Sequence, residues 1–278
     1  MRSLKHIIRA PRVLASFWFQ VRHAMHRERG AHLTAWFRIH WRWLWNADGA
    51  PVTVRMLGFT VSAWDAGILR MLFKEIFIDR QYDFDPGTTS PVIIDCGANI
   101  GMSVLWFKKR WPNARIIAIE ANPSAFALLK KNVEQNGLSN VTLHNVAVAD
   151  KEGTLDFFVN HEAGTLLGSV RAERGGQQRL QVPAILLSRI FSTLENRVDA
   201  VKMDIEGAEW LVLRDLVASG TLAIPRNYLV EYHHRVGTDK SMMSGFLKPF
   251  EEQGYDYRLV AEPGRSGKMQ DVRLHFSR

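Results

Sequence analysis

The ten residues Val92-Ile93-Ile94-Asp95-Cys96-Gly97-Ala98-Asn99-Ile100-Gly101 constrain this chain more than any other stretch. An unbroken apolar run of strand length ends in an acid, and then in two glycines that frame three residues. Consecutive apolar positions need a strand covered on both faces. The glycines let that strand turn sharply into a helix over residues 102–110, and a strand–turn–helix of this kind is where α/β folds bind nucleotide-like ligands. The alternation then repeats. Residues 115–120 read as a strand. Residues 123–136 read as a helix opened by Pro123 and stopped by Gly137. Residues 141–148 read as a strand, 179–182 as an edge strand, and 187–194 as a helix. A strand is expected over 200–204, a helix over 208–218 ended by Gly220, a strand over 227–232 and a helix over 241–253. Strands at 255–261 and 271–276 leave no room for a helix between them. The pattern predicts an α/β fold: a mostly parallel sheet with helices on both faces and an antiparallel strand at the end.

Upstream of the alternation the pattern differs. Residues 52–54 and 59–61 flank Gly58 as a short hairpin. Residues 65–77 read as a helix with Ile68, Leu69, Leu72, Phe73 and Ile76 on one side. The turn-rich run Asp85-Pro86-Gly87-Thr88-Thr89-Ser90-Pro91 leads into the core. Three segments are therefore expected: a basic, Trp-rich helical extension (1–50), a hairpin-and-helix cap (51–90) and a ligand-binding core domain (91–278).

Charge separates the extension from the rest. Residues 1–45 hold nine Lys/Arg and one acid, a net +8 that equals the charge of the whole 278-residue chain. The remainder holds 27 basic and 27 acidic residues, so the basic balance says nothing about the ligand of the core. Five of the nine tryptophans also lie there: Trp18, Trp36, Trp41, Trp43 and Trp45. Leu4, Ile7, Ile8, Leu14, Trp18 and Val21 recur at near-helical spacing, broken by Pro11. Two readings stay open, a helical cap packed on the protein and a helix lying on an anionic membrane; the cap is preferred, because Pro11 and the arginines interrupt the stripe. The longest uncharged run, residues 13–21, is too short to span a bilayer. Cys96 is the only cysteine, so no disulfide framework or thiolate metal cluster forms. A reducing compartment suits it, and the expected location is cytoplasmic, peripheral to the membrane if residues 1–45 bind lipid.

The glycine turn discriminates between cofactors. A dinucleotide fingerprint needs G-x-G-x-x-G, and Gly97 and Gly101 do not have that spacing. Asp95 would also oppose a diphosphate. S-adenosylmethionine has no phosphate and ends in an ammonium and a sulfonium, which favour carboxylates. The turn residues Asp95, Gly97, Ala98, Asn99 and Gly101 are therefore expected to bind it. Glu120, followed by Asn122-Pro123, ends the second strand where an acid accepts the ribose hydroxyls. Ala147 lies where the adenine ring would meet small apolar residues. Asp204, in Val201-Lys202-Met203-Asp204-Ile205-Glu206-Gly207-Ala208-Glu209-Trp210, reaches the same crevice from another strand. Glu206 and Glu209 there read as acids suited to a helix N-terminus.

These residues resemble the FkbM-type S-adenosylmethionine-dependent methyltransferases. The matching runs are "VIIDCGANIG", "AIEANP", "LLKKNVEQNGLSNVTLHNVAVAD", "VKMDIEGAEW" and "LVEYH", with "EIFIDRQYDF" upstream. The resemblance covers about residues 50–278 and leaves residues 1–45 outside. It implies a Rossmann-like class I methyltransferase fold, with a seven-stranded sheet and an antiparallel final hairpin. It also implies O-methylation of a sugar, glycolipid or other natural-product hydroxyl. The candidate catalytic residues are Asp204, Glu231 and His233, with Glu231 and His233 on one side of their strand and His233 the first choice of base. His234 should point the other way, toward solvent. Two carboxylates and the histidine could instead hold Mg²⁺. Three rival functions are disfavoured, a nicotinamide oxidoreductase among them for the missing glycine. A nucleic-acid methyltransferase is opposed by the missing Asp/Asn-Pro-Pro-aromatic motif and the uncharged core. A non-catalytic membrane-surface protein is opposed by the intact cofactor residues. Residues 60–90 and 160–178 are expected to shape the acceptor pocket. The acceptor's identity and the oligomeric state are not legible.

Overall fold

A computed structural model describes residues 29–46, 50–159, 168–195, 197–234, 243–261 and 270–278. The stripe expected over residues 4–21 and the 160–167 part of the acceptor segment lie outside them. The chain divides into two compact units. One takes Met1–Asp83, Lys131–Gly137 and Glu162–Thr165, the other Phe84–Lys130, Leu138–His161 and Leu166–Arg278.

In the first unit, α1 (Arg29–Trp45) buries His32, Ala35, Trp36, Ile39 and His40, the three-and-four spacing of an amphipathic helix. It packs on β1 (Val52–Met56) and α2 (Ala66–Phe73). β1 and β2 (Phe59–Ala63) pair as an antiparallel hairpin. Leu57 and Gly58 both take positive φ, 50° and 93°, as a two-residue turn matched to strand twist demands. Asp65 caps α2 by accepting a hydrogen bond from Ile68 N at 2.9 Å. The helix expected over 65–77 is not uniform: Lys74–Ile78 forms a π turn. Widening the turn allows three consecutive residues, Ile76, Phe77 and Ile78, to be buried together. Asn132 grips β2 from the side, accepting from Ser62 N at 2.8 Å and donating to Ser62 O at 2.9 Å.

The second unit runs β3 (Val92–Cys96), α3 (Met102–Arg110), β4 (Arg115–Ile119), α4 (Pro123–Gln135), β5 (Val141–His144), β6 (Ala147–Ala149), β7 (Gly153–Val159), β8 (Gly168–Ser169), α5 (Ala172–Gly175), β9 (Gln178–Leu186), α6 (Leu187–Thr193), β10 (Ala200–Met203), α7 (Glu209–Ala218), β11 (Asn227–His234), α8 (Met243–Glu252), β12 (Asp256–Ala261) and β13 (Gln270–Ser277). Residues of α4 from Lys131 onward are grouped with the first unit. A seven-stranded sheet has the order β12-β13-β11-β10-β3-β4-β5. β13 pairs antiparallel with both neighbours, and the other pairings are parallel. β3 and β10 are buried at every position, as central strands of a doubly covered sheet are. From β3 the chain moves outward through β4 and β5, and later returns to β10 on the other side. That reversal opens a crevice at the carboxyl ends of β3 and β10.

Two expectations need correction. The strand expected over 141–148 is two strands in different sheets. Asn145 interrupts it, donating through Nδ2 to Glu120 O at 2.8 Å and Ala121 O at 3.2 Å. The edge strand expected over 179–182 is the nine-residue β9, part of a second, four-stranded sheet of order β6-β9-β7-β8. Its core gathers Ala147, Ala149, Phe157, Val159, Val182 and Ala184.

Candidate functional site

The crevice begins at the turn after β3. Gly97 has φ +78°, and a Cβ there would lie 1.8 Å from the Asp204 carbonyl oxygen. Glycine is thus required where the ends of β3 and β10 meet, whatever ligand binds. Asn99 also takes a left-handed φ of 51°, and its Oδ1 accepts from Ile100 N at 2.7 Å.

Asp95 does not line the crevice, contrary to the expectation that it faces a cationic ligand. It is fully buried. Its Oδ1 lies 3.2 Å from Lys202 Nζ, and its Oδ2 accepts from Ser103 Oγ. The cause is register: Asp95 sits directly beside Lys202 on the adjoining strand, and a buried carboxylate takes the nearest cation. Lys202 Nζ also donates to Gly97 O at 2.6 Å and lies 3.9 Å from Asp204 Oδ2. Burial alone would lower the Lys202 pKa, but Asp95 and Asp204 outweigh it and the net shift is upward. Lys202 thereby ties the glycine turn to Asp204, a role that the sequence reading missed.

The crevice holds about 590 Å³ of open space. Gly97, Asn99, Glu120, Ala147 and Asp204 line it as expected, while Ala98, Gly101 and Asn122 do not. Ala98 is buried and donates its N–H to Ile119 O at 2.9 Å. Gly101 lies against Leu129. Asn122 Oδ1 accepts from Ser124 N at 2.9 Å, at the start of α4. Glu120 accepts from Asn99 N and Asn122 N, each at 2.8 Å. Burial pushes its carboxyl up to about 7, against the downward pull of those two bonds and of Lys202. Val146, Ala147, Val148 and Phe157 give the crevice an apolar wall. Phe157 and Val170 come from the second sheet and its edge, which the sequence reading lacked.

Asp204 and Glu206 also line the crevice, next to a buried histidine. His233 Nδ1 lies 2.7 Å from Glu209 Oε1, with both side chains 1% exposed. Glu209 Oε1 also accepts from Gly207 N at 3.0 Å. When Nδ1 carries a hydrogen it donates to Glu209 Oε1, and Nε2 is the ring nitrogen that faces the other acids. Nε2 lies 3.3 Å from Glu206 Oε2 and 4.0 Å from both Asp204 Oδ1 and Asp271 Oδ1. Glu231 belongs to the same group. Burial pushes its carboxyl up to about 8, reinforced by Asp204 and opposed by His233. Asp204, Glu206 and His233 offer ligand atoms within 4.8 Å of one another and could hold a metal ion. His234 is buried rather than solvent-facing as expected, because β11 is covered on both sides for nearly its whole length. Glu209 reads in the sequence as a first-turn acid suited to the helix dipole; only the fold brings it to His233.

The crevice combines the buried acid Glu120, an apolar wall and the two carboxylates of Asp204 and Glu206. The strand order, with one antiparallel strand beside the edge and a ligand crevice at the switch point, defines the α/β architecture of class I methyltransferases. The chain belongs to the FkbM methyltransferase family, whose model, the Methyltransferase FkbM domain, matches residues 95–257. It is 31% identical over 181 residues to Methyltransferase 1 of Beauveria bassiana (strain ARSEF 2860), covering 57% of this chain and 72% of that protein. It is 30% identical over 217 residues to Methyltransferase sdnD of Sordaria araneosa, covering 67% and 82%. It is 29% identical over 175 residues to the 2-O-methyltransferase NoeI of Sinorhizobium fredii (strain NBRC 101917 / NGR234), covering 56% and 67%.

Proposed function

We propose that the protein transfers a methyl group from S-adenosylmethionine to a hydroxyl of a small molecule, a sugar, glycolipid or other natural product. The observation that carries this reading is that Glu120, Asp204 and Glu206 line one crevice, with the buried His233 beside Asp204 and Glu206. The oxygen acceptor is supported by the relative named as a 2-O-methyltransferase. S-adenosylmethionine supplies an electrophilic methyl on a sulfonium. Glu120 accepts the ribose hydroxyls. Val146, Ala147, Val148 and Phe157 cover the adenine. Asp204 and Glu206 face the positive end. His233 Nε2 takes the proton of the acceptor hydroxyl as its oxygen attacks the methyl carbon. Glu209 holds the ring in the required tautomer and stabilises the imidazolium that forms, as the acid of a catalytic triad does.

Binding tests the cofactor assignment. The ribose hydroxyls need Glu120 ionised, and its carboxyl sits near 7. Ionisation is favoured as pH rises, so calorimetric affinity for S-adenosylmethionine should rise about tenfold from about pH 6 to 8 and then level off. Glu120→Gln should flatten that rise and weaken binding by about 1–3 kcal/mol. Tighter binding of NAD than of S-adenosylmethionine would refute the assignment.

A second reading rests on the close ligand atoms of Asp204, Glu206 and His233. Two atoms bound to one Mg²⁺ at about 2.0–2.1 Å stand about 3–4 Å apart, and the 3.3 and 4.0 Å separations fall in that range. Glu209 would then orient a metal-bound histidine, and the ion would acidify the acceptor hydroxyl. Dialysis against a chelator separates the two. Activity that survives leaves His233 as the base; activity lost and restored by Mg²⁺ makes it a ligand.

A further inference from the structure

We propose that the outer face of α1 docks on an anionic lipid bilayer surface. The helix already satisfies one face by packing on β1 and α2. Its opposite face should be polar, yet Phe37, Trp41 and Trp45 are 57%, 52% and 67% exposed. They stand four residues apart and form one continuous ladder, with ring centroids 6.0 Å apart for Phe37–Trp41 and 5.5 Å for Trp41–Trp45. Arg38 and Arg42 are exposed beside them. With Arg55, Thr53 and Val54 of β1 they line a groove walled by Phe37 and Trp41.

The occupant follows from charge and from shape. The helix contains no acid, and residues 1–45 carry nine basic residues against Glu28 alone. A second copy of the chain would bring two acid-free helices, each with Arg38 and Arg42 exposed, face to face. A single strand of nucleic acid stacks successive bases on free aromatic faces; these rings lie 6.0 and 5.5 Å from one another and take up part of each other's faces. A bilayer interface takes both features: tryptophan rings settle at headgroup depth, and arginines reach the phosphates above them. No described helix is long and apolar enough to cross a membrane, so α1 would lie in the interface plane.

The test is sedimentation of the full chain with phosphatidylcholine vesicles and with vesicles containing about one-third phosphatidylglycerol. Binding to the anionic vesicles should be at least tenfold stronger and should fall as salt rises. The triple variant Phe37→Ser, Trp41→Ser, Trp45→Ser should lose at least tenfold of it while keeping the helical content of the unaltered protein by circular dichroism, since these side chains lie off the packed face of α1. Arg38→Glu with Arg42→Glu should lose it as well. Failure of the full chain to sediment would overturn the proposal. So would equal sedimentation of the triple variant, which would assign lipid binding to other residues of the basic segment. A dimer that the triple substitution dissociates, or oligonucleotide binding that it abolishes, each without vesicle binding, would assign the face to a second copy or to nucleic acid instead.

Discussion

Lys202 sits among apolar neighbours in β10 with its side chain 2% exposed. Its Nζ lies within 3.3 Å of oxygens of Asp95, Gly97 and Cys96. Removing the ammonium leaves the Asp95 carboxylate buried without its cation. Lys202→Met should therefore cost about 3–5 kcal/mol in denaturant unfolding, although methionine fills much of the same volume. A loss under about 1 kcal/mol would contradict this account of the pair. At this scale the sequence is legible where a residue's position on a strand decides its fate. Glu120 and Asp204 follow strand ends and line the crevice, while His233 is buried beside Asp204 and Glu206. It is not legible where cross-strand register decides. Nothing local marks Lys202 as the partner of Asp95, or Glu209 as the partner of His233, because those partners lie more than twenty residues away in the chain.

α1 shows what periodicity can and cannot reveal. Its buried positions follow helical spacing, but its aromatic residues occur on both faces, so pattern alone does not separate the packed side from the exposed one. On the packed side, His40 stacks on Trp36 at 4.5 Å and lies 5.1 Å from Trp43. Burial, helped by the nearby Arg70 charge, lowers its pKa to about 4. The folded form therefore binds fewer protons than the unfolded one between about pH 6.5 and 4. Stability must rise with pH through that window and be lost as pH falls through it. Acidification should loosen α1, and His40→Gln should remove that part of the pH dependence. Tryptophan emission against pH measures it, and an identical acid profile for the variant would count against the account. The second sheet was the larger omission among the elements. β6 and β8 have three and two residues, too few for an alternating pattern to register, and β7 and β9 pair across about twenty residues. Yet that sheet supplies Phe157 to the crevice.

Across the whole molecule, the sequence carries two separable messages. The alternation of strands and helices dictates the seven-stranded sheet, and the glycine turn dictates where its crevice opens. The net charge, confined to residues 1–45, belongs to a surface property and leaves the crevice chemistry to the 27 acids and 27 bases of the remainder. The central claim is that this crevice moves a methyl group with the help of His233. The most direct measurement is transfer of label from methyl-labelled S-adenosylmethionine into hydroxyl compounds of a cell extract, by the unaltered protein and by His233→Gln. A labelled, base-stable ether product is expected, formed about a hundredfold or more slowly by the variant, while the variant's calorimetric affinity for the cofactor stays within about threefold. Equal rates for the two proteins would remove His233 from the mechanism. No labelled product from a protein that binds the cofactor would contradict the proposed reaction.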